Sequence, residues 1–227
     1  MKNALKPLLG FAAFSGTGKT TLLEKLIPLL SQTDLRIGLI KHSHHNFEID
    51  KPGKDSYRLR AAGASPVMLV SSHRRASMTE FTSVVEPKLN EQLKALDQSE
   101  LDLILVEGFK AEHFPKIELH RPSLQKQLLF PNDADIIAIA TDADINITTS
   151  NTDLPAELTT KLAIPTQLDI NQPELIAEFI INHLLDKKND PCGIKHGNVR
   201  NNGLISIEQA LDTIKNSVTA INGVDRV

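Results

Sequence analysis

Ala13-Phe14-Ser15-Gly16-Thr17-Gly18-Lys19-Thr20 is the stretch of sequence that decides the fold. It follows the phosphate-binding pattern G-x-x-x-x-G-K-[ST], with Ala13 in place of the usual first glycine. An apolar run precedes this loop and leucines at helical spacing follow it, which predicts a strand, a loop and a helix. Backbone N–H groups of such a loop stabilise negative charge, so nucleotide phosphates are predicted to bind here. The predicted contacts are Ser15, Gly16, Thr17, Gly18, Lys19, Thr20 and Thr21.

Candidate catalytic and metal-binding groups follow from the same interpretation. Lys19 can reach the β- and γ-phosphates, and the hydroxyl of Thr20 can bind Mg2+. Glu107 ends the most hydrophobic strand of the sequence, where P-loop proteins place a carboxylate near the metal. We therefore expect Lys19 and Glu107 to be catalytic and Glu107 to be a metal ligand, the alternative being a carboxylate that only neighbours a loop. Asp50 is a second candidate for the metal, although Asp is also common in turns.

Continuously apolar strands separated by helical segments indicate an α/β fold, with a mostly parallel sheet covered by helices on both faces. Val67–Val70 is predicted to be a buried strand because of its β-branched content, and Asp55 to cap the helix that precedes it. Residues 117–119 and 128–130 alternate with charged residues around a turn at 121–123. That pattern predicts an antiparallel, half-exposed hairpin.

Length and composition exclude several classes of protein. The chain has 227 residues, 41% of them hydrophobic, and a net charge of -3, which fits a globular protein and argues against nucleic acid as the main partner. The single cysteine excludes an internal disulfide, and the sequence has no apolar stretch long enough for a membrane span, so we expect a cytoplasmic protein. Composition predicts a nucleotide-binding domain over 1–187, a polar linker over 188–203 and a helical tail over 204–227.

A histidine cluster permits another interpretation. His42, His44 and His45 follow a predicted strand, but no further ligand follows at the spacing of a structural zinc site. They favour either a solvated or phosphate-facing cluster or a transition-metal site. Arg74 and Arg75 form the one adjacent arginine pair in the sequence and are weak candidates for assisting hydrolysis.

Four blocks of sequence, taken together, closely resemble the molybdopterin-guanine dinucleotide biosynthesis adapter (MobB) family over roughly residues 8 to 185. The resemblance implies a Mg2+-dependent, GTP-binding P-loop protein with weak GTPase activity, usually a homodimer. It further implies a role in assisting a separate molybdopterin guanylyltransferase and other proteins of molybdenum cofactor synthesis. The blocks are Phe14-Ser15-Gly16-Thr17-Gly18-Lys19-Thr20-Thr21, Gly38-Leu39-Ile40-Lys41-His42-Ser43-His44-His45, Asp50-Lys51-Pro52-Gly53-Lys54-Asp55-Ser56-Tyr57 and Leu103-Ile104-Leu105-Val106-Glu107-Gly108-Phe109-Lys110.

Two features depart from what this resemblance implies. The Asn-Lys-x-Asp guanine motif is absent from the sequence, and Asp142, after the apolar strand 136–140, is a positional substitute for contacting the base or else an exposed turn residue. The segment 204–211 resembles the opening helix of the molybdopterin molybdotransferase (MoeA) family, which implies a fragment of a longer fusion.

Two other function classes remain open at this point. A P-loop fold with basic residues around its substrate site could transfer the γ-phosphate to a small molecule, as a kinase does. The histidine cluster could instead serve a GTP-gated metallochaperone.

Overall fold

The computed structural model describes residues 1–43, 46–147, 163–185 and 212, and in it a six-stranded parallel sheet carries the fold. The strand order is β2-β5-β1-β6-β7-β8, with β1 in the interior between β5 and β6. The predicted α/β fold is confirmed. The strands of this sheet are β1 (Leu8–Ala13), β2 (Ile37–Lys41), β5 (Leu103–Glu107), β6 (Lys116–His120), β7 (Ile136–Thr141) and β8 (Thr166–Asp169).

Helices cover both faces of the sheet. On one face α1 (Lys19–Ser31) and α4 (Pro173–Ile180) pack against the apolar side chains of β1, β6 and β7. A π-helical turn, Ile181–Leu185, continues α4. On the other face α3 (Leu89–Ala95) buries its leucines against β5 and the segment after it. The continuously apolar strands are therefore explained by burial on both sides.

Parallel pairing determines where the functional residues lie. Leu9 pairs with Leu105 of β5, and Phe11 pairs with Ile117 of β6. Because the strands run in the same direction, the segments that follow β1, β5, β6 and β7 emerge at one edge of the sheet. Ligands of open α/β sheets bind at this carboxyl edge.

The hairpin expected around residues 117–130 was wrong. The strand β6 is buried throughout and pairs in parallel with β1 and β7, while two short 3₁₀ turns, Pro122–Leu124 and Phe130–Asn132, follow it. Its charged residues are not solvated: Lys116 pairs with Asp133 at 2.9 Å, and Glu118 accepts two backbone hydrogen bonds. The alternation that indicated half-exposure is therefore an alternation of apolar and internally paired polar side chains.

Residues Ser43–Lys88 form a second compact unit, whereas Met1–His42 and the residues described from Leu89 onward form the first. The second unit contains α2 (Asp55–Ala61) and the antiparallel pair β3 (Val67–Val70) and β4 (Arg75–Met78). Asp55 is the first residue of α2, and Lys54 is at the cap position, where its side chain makes no capping hydrogen bond.

The prediction that Val67–Val70 is buried was also wrong. Met68 and Val70 are 58% and 71% exposed in the chain, so the apolar character of β3 is not explained by a core.

No helix among the described residues is long and apolar enough to cross a membrane. The predicted linker and the helical tail lie almost wholly outside the described residues, and the boundary predicted at residue 187 does so entirely.

Candidate nucleotide-binding site

The loop between β1 and α1 has the backbone geometry of a phosphate cradle. Gly16 and Gly18 adopt φ values of 85° and 90°, a left-handed conformation that a side chain would strain. The Thr17 hydroxyl donates to the carbonyl of Phe14 at 2.8 Å, which closes the turn. A Cβ added at Gly16 would meet nothing within 4 Å, so the loop is open on that side.

Most of the polar side chains in and after this loop are accessible. Ser15, Thr20 and Thr21 are exposed, and Lys19 is partly buried. The arrangement supplies backbone donors, one cation and hydroxyl groups to an anion at the start of α1.

Glu107 forms ion pairs with two lysines, Lys19 of the phosphate-binding motif and Lys41 at the end of β2. Lys19 Nζ lies 3.2 Å from one carboxylate oxygen, and Lys41 Nζ lies 3.1 Å from the other. Burial by itself would raise the pKa of Glu107, but hydrogen bonds and charge attraction from Lys41 and Lys19 outweigh it, and the net shift is downward. Glu107 is therefore held ionised beside the phosphate loop.

Gly108, which follows Glu107, lets the end of β5 lie close to the end of β2. Gly108 has φ 96°, and a Cβ there would lie 2.6 Å from the Cβ of His42. The backbone N–H of His42 also donates to the Glu107 carbonyl at 2.8 Å, and its ring stacks on Phe109 at 4.8 Å. The ends of β2 and β5 are thus packed closely, which keeps Lys41 and Glu107 side by side.

Sequence reasoning gave no individual role to Lys110, although it stands in one of the family-like blocks. Its Nζ donates to the carbonyl of Ala13 at 2.8 Å and lies 5.7 Å from the centre of the Phe14 ring. Burial, and then the charge of Lys19, lower the pKa of Lys110. The spacing could not reveal this contact because Ala13 and Lys110 are 97 residues apart.

Arg121, treated in the sequence as part of a turn, contacts the phosphate loop. Its Nε donates to the Thr17 carbonyl at 3.0 Å, and its Nη1 donates to Asp142 Oδ2 at 2.5 Å. Both partners are at the carboxyl edge of the sheet, Thr17 after β1 and Asp142 after β7. The candidate base-contacting residue is therefore tied to the loop by one guanidinium.

A cleft of about 450 Å³ opens beside Asp142, between the ends of β7 and β8. Its lining is mainly polar. The lining residues are Thr141, Asp142, Ala143, Asp144, Gln167, Leu168 and Asp169.

The donor set at the loop fits Mg2+ bound together with phosphate. Mg2+ takes few protein ligands, usually one or two, and completes its shell with phosphate oxygens and water. Thr20 and Glu107 supply a hydroxyl and a carboxylate, and among the described residues no group of three or more His, Cys, Asp or Glu could hold a metal alone.

Asp50 belongs to the second unit. Its Oδ1 accepts from the Ser56 hydroxyl at 2.9 Å, and its buried Oδ2 has no hydrogen-bond partner. Its role as a metal contact stays a prediction.

The other predicted clusters are less informative. Of the three histidines only His42 is among the described residues; His44 and His45 lie outside them. Arg74 and Arg75 are exposed in the second unit.

Comparisons with known proteins find one family. The family model for molybdopterin guanine dinucleotide synthesis protein B (MobB) matches residues 8–142. The chain is 45% identical over 181 residues to the molybdopterin-guanine dinucleotide biosynthesis adapter protein of Escherichia coli K12, covering 77% of this chain and 91% of that protein. The Haemophilus influenzae protein of the same name is 45% identical over 179 residues, covering 78% and 89%.

Solved structures show the same fold. A crystal structure of molybdopterin-guanine biosynthesis protein B superposes with a TM-score of 0.53 at 22% identity, covering 77% of this chain and 98% of the other. The crystal structure of Bacillus subtilis MobB gives a TM-score of 0.54 at 21% identity, with coverages of 78% and 96%.

Proposed function

The chain belongs to the MobB family and is an adapter of molybdenum cofactor biosynthesis, and we propose that it serves this role as a Mg2+-dependent, GTP-binding protein with weak GTPase activity. The observation that carries the proposal is the contact of Lys19 with Glu107 beside a loop of left-handed glycines. These are the cation, the carboxylate and the backbone donors that a triphosphate with its metal requires.

The ion pairs suggest how the site responds to ligand. Lys19 exchanges its contact with Glu107 for oxygens of the β- and γ-phosphates. The carboxylate of Glu107 and the Thr20 hydroxyl are the groups that would hold Mg2+, directly or through water. Lys41 keeps its bond to Glu107 and holds the carboxylate in place during the exchange. When bound, Mg2+ would supply neutralisation of the phosphate charge.

Weak hydrolysis is expected because stabilisation of the transition state is incomplete. Fast phosphoryl transfer needs an oriented water and a cation on the γ-phosphate. Lys110, another lysine at this edge of the sheet, is held by the Ala13 carbonyl. We propose that a partner protein, a molybdopterin guanylyltransferase, completes the site or reads its nucleotide state in the cytoplasm.

We also propose a homodimer formed through the second unit. Within the described part of Ser43–Lys88, Asp50 is the one buried residue. A small unit with so little buried apolar surface is marginally stable by itself, and further apolar contacts would stabilise it. Met68, Val70 and Phe81 are 58%, 71% and 74% exposed, and a second copy of the chain would cover them.

Nucleotide-dependent melting tests the proposal. The protein is heated with GTP or ATP, each with Mg2+ or with a chelator. A preferred ligand at 100 times its dissociation constant adds about 2.7 kcal/mol, and we expect this gain with GTP and Mg2+. Phosphate release is then followed with and without the guanylyltransferase. Stabilisation by ATP, with turnover only when a small acceptor is added, would favour the kinase interpretation.

A further inference from the structure

Arg121 is placed to connect the two parts of a nucleotide site. It follows β6 and lies between the phosphate loop and the end of β7, with one nitrogen bonded to the Thr17 carbonyl and another to Asp142. Its Nη2 is 3.7 Å from where a Cβ of Gly18 would be, so the guanidinium lies over the loop. A planar group with five donors can hold two acceptors in a fixed relation, which a lysine cannot.

Asp142 differs from the other acids of the neighbouring cleft in what binds it. Asp169 is occupied by its own turn, since it accepts from the backbone of Asn171 at 2.8 Å and from Gln172 at 2.9 Å. Asp144 accepts from Gln167 across the cleft at 3.3 Å. Asp142 alone among these three is bonded to a residue that also holds the phosphate loop.

The chemistry of the cleft favours a base that donates hydrogen bonds. An ionised carboxylate only accepts, and each oxygen has two acceptor positions, so the bond from Arg121 leaves capacity on both. Guanine presents N1–H and the 2-amino group next to each other. Adenine presents an unprotonated N1 at the corresponding place, which a carboxylate repels.

We propose that Arg121 is a positioning residue for base selection, holding the Asp142 carboxylate where it accepts from N1–H and the 2-amino group of guanine while fixed to the phosphate loop. The inference rests on the proposed binding of GTP. It predicts that Arg121 affects the choice of base through Asp142, in addition to any general support of the loop.

The experiment measures dissociation constants of the full chain for GTP, ITP, XTP and ATP with Mg2+. ITP lacks the 2-amino group, so the ratio of its dissociation constant to that of GTP reports one hydrogen bond to a charged acceptor. Such a bond corresponds to roughly a tenfold to hundredfold preference. The variants are Arg121→Gln, Arg121→Lys, Asp142→Asn and the double variant Arg121→Gln with Asp142→Asn.

We expect Arg121→Gln to reduce the preference for GTP over ITP to less than about threefold, and Arg121→Lys to restore part of it because a charge near Asp142 is retained. Asp142→Asn should improve XTP binding about tenfold, since an amide can donate to the C2 carbonyl of xanthine. The gain in XTP binding should be lost in the double variant. The effects of Arg121→Gln and Asp142→Asn on the ratio of the dissociation constants for ITP and GTP should not be additive.

Arg36→Gln is the matched control. Arg36, like Arg121, joins two acceptors, in this case the carboxylates of Glu100 and Asp102, but it precedes β2 and so lies at the amino edge of the sheet. The Arg36→Gln variant should leave the dissociation constants for GTP, ITP, XTP and ATP unchanged.

Three results separate the possible failures. If the wild-type chain binds no nucleoside triphosphate, the proposed function is wrong. If it binds GTP and ITP equally, GTP binding stands and base selection by Asp142 is overturned. If Arg121→Gln and Arg121→Lys weaken every nucleotide by the same factor and keep the wild-type ratio, Arg121 only supports the loop. Melting curves confirm that each variant is folded, and Arg121→Lys keeps the test decisive if Arg121→Gln does not fold.

Discussion

Replacing Lys19 with alanine should abolish most triphosphate binding and leave the fold intact. The Lys19 side chain is 20% exposed and contacts one oxygen of Glu107, whose side chain is 14% exposed. Lys41 remains on the other oxygen at 3.1 Å, so Glu107 is not left without a counter-charge. We therefore expect the unfolding free energy to fall by about 1 kcal/mol, the upper range for partly exposed ion pairs. In a chain of this size that is a decrease of roughly 2–4 °C in melting temperature.

The effect on binding should be much larger. Lys19 is expected to contact oxygens of both the β- and γ-phosphates. Each hydrogen bond to a charged group is worth about 1.5–3 kcal/mol. Losing two such bonds weakens binding by about 3–6 kcal/mol, on the order of 10² to 10⁴ in the dissociation constant.

The assay compares nucleotide-induced stabilisation. At 100 times the wild-type dissociation constant, GTP adds about 2.7 kcal/mol to the wild-type chain, but a protein with 100-fold weaker binding gains only about 0.4 kcal/mol. Lys25→Ala is the control, because Lys25 is an exposed lysine of the same helix. Undiminished GTP affinity in Lys19→Ala, with both variants folded, would refute the P-loop assignment.

Three further perturbations test other parts of the molecule. Burial raises the pKa of Glu118 to about 7 from its ordinary 4.5, so its contribution to stability is complete below pH 4.5 and is lost, by up to about 3 kcal/mol, as the pH rises through 7. The unfolding free energy of Glu118→Gln, measured by denaturation, should depend less on pH in this range than that of the wild-type chain. An equal pH dependence in the two proteins would contradict the raised pKa of Glu118. Val70→Asp should shift sedimentation from dimer to monomer, whereas Lys51→Asp, also exposed in the second unit, should not; a dimer in both would exclude β3 from the interface. Lys110→Ala should lower partner-stimulated phosphate release at least tenfold, because the charge-assisted hydrogen bond that holds the Ala13 carbonyl at the start of the phosphate loop is lost; unchanged release would remove this lysine from the site.

The sequence predicted the parts of the fold that depend on local patterns. The glycine loop between an apolar strand and a leucine-rich helix was sufficient to predict β1 and α1, and a continuous apolar run located β5 and Glu107. These predictions succeeded because parallel pairing places the ends of neighbouring strands at one edge, whatever the intervening chain does.

The errors arose where distant residues determine the environment. Lys116 and Glu118 look solvent-facing by alternation, but Lys116 finds a counter-charge and Glu118 finds two backbone donors in a segment 11 to 17 residues away. Consequently the segment after β6 was treated as a surface turn, and Arg121 received no role. Val67–Val70 shows a different limit, because apolar composition indicates that a strand needs cover without specifying whether that cover is a core or another chain.

The charges gathered at the sheet edge connect the geometry to the proposed weak activity. The four cations bonded around the phosphate loop, Lys19, Lys41, Lys110 and Arg121, accompany the two acids among their partners, Glu107 and Asp142, so this group of six has a surplus of two positive charges. A triphosphate with one Mg2+ carries a charge of about -2, so the site can neutralise it. Each of these cations is nevertheless already bonded to a carbonyl or carboxylate of the chain. Binding therefore requires at least Lys19 to exchange partners, and the cations that keep their partners contribute attraction without meeting the transferred phosphoryl group. We therefore expect such a site to hold a nucleotide well and to hydrolyse it slowly until a docking protein supplies the missing contact.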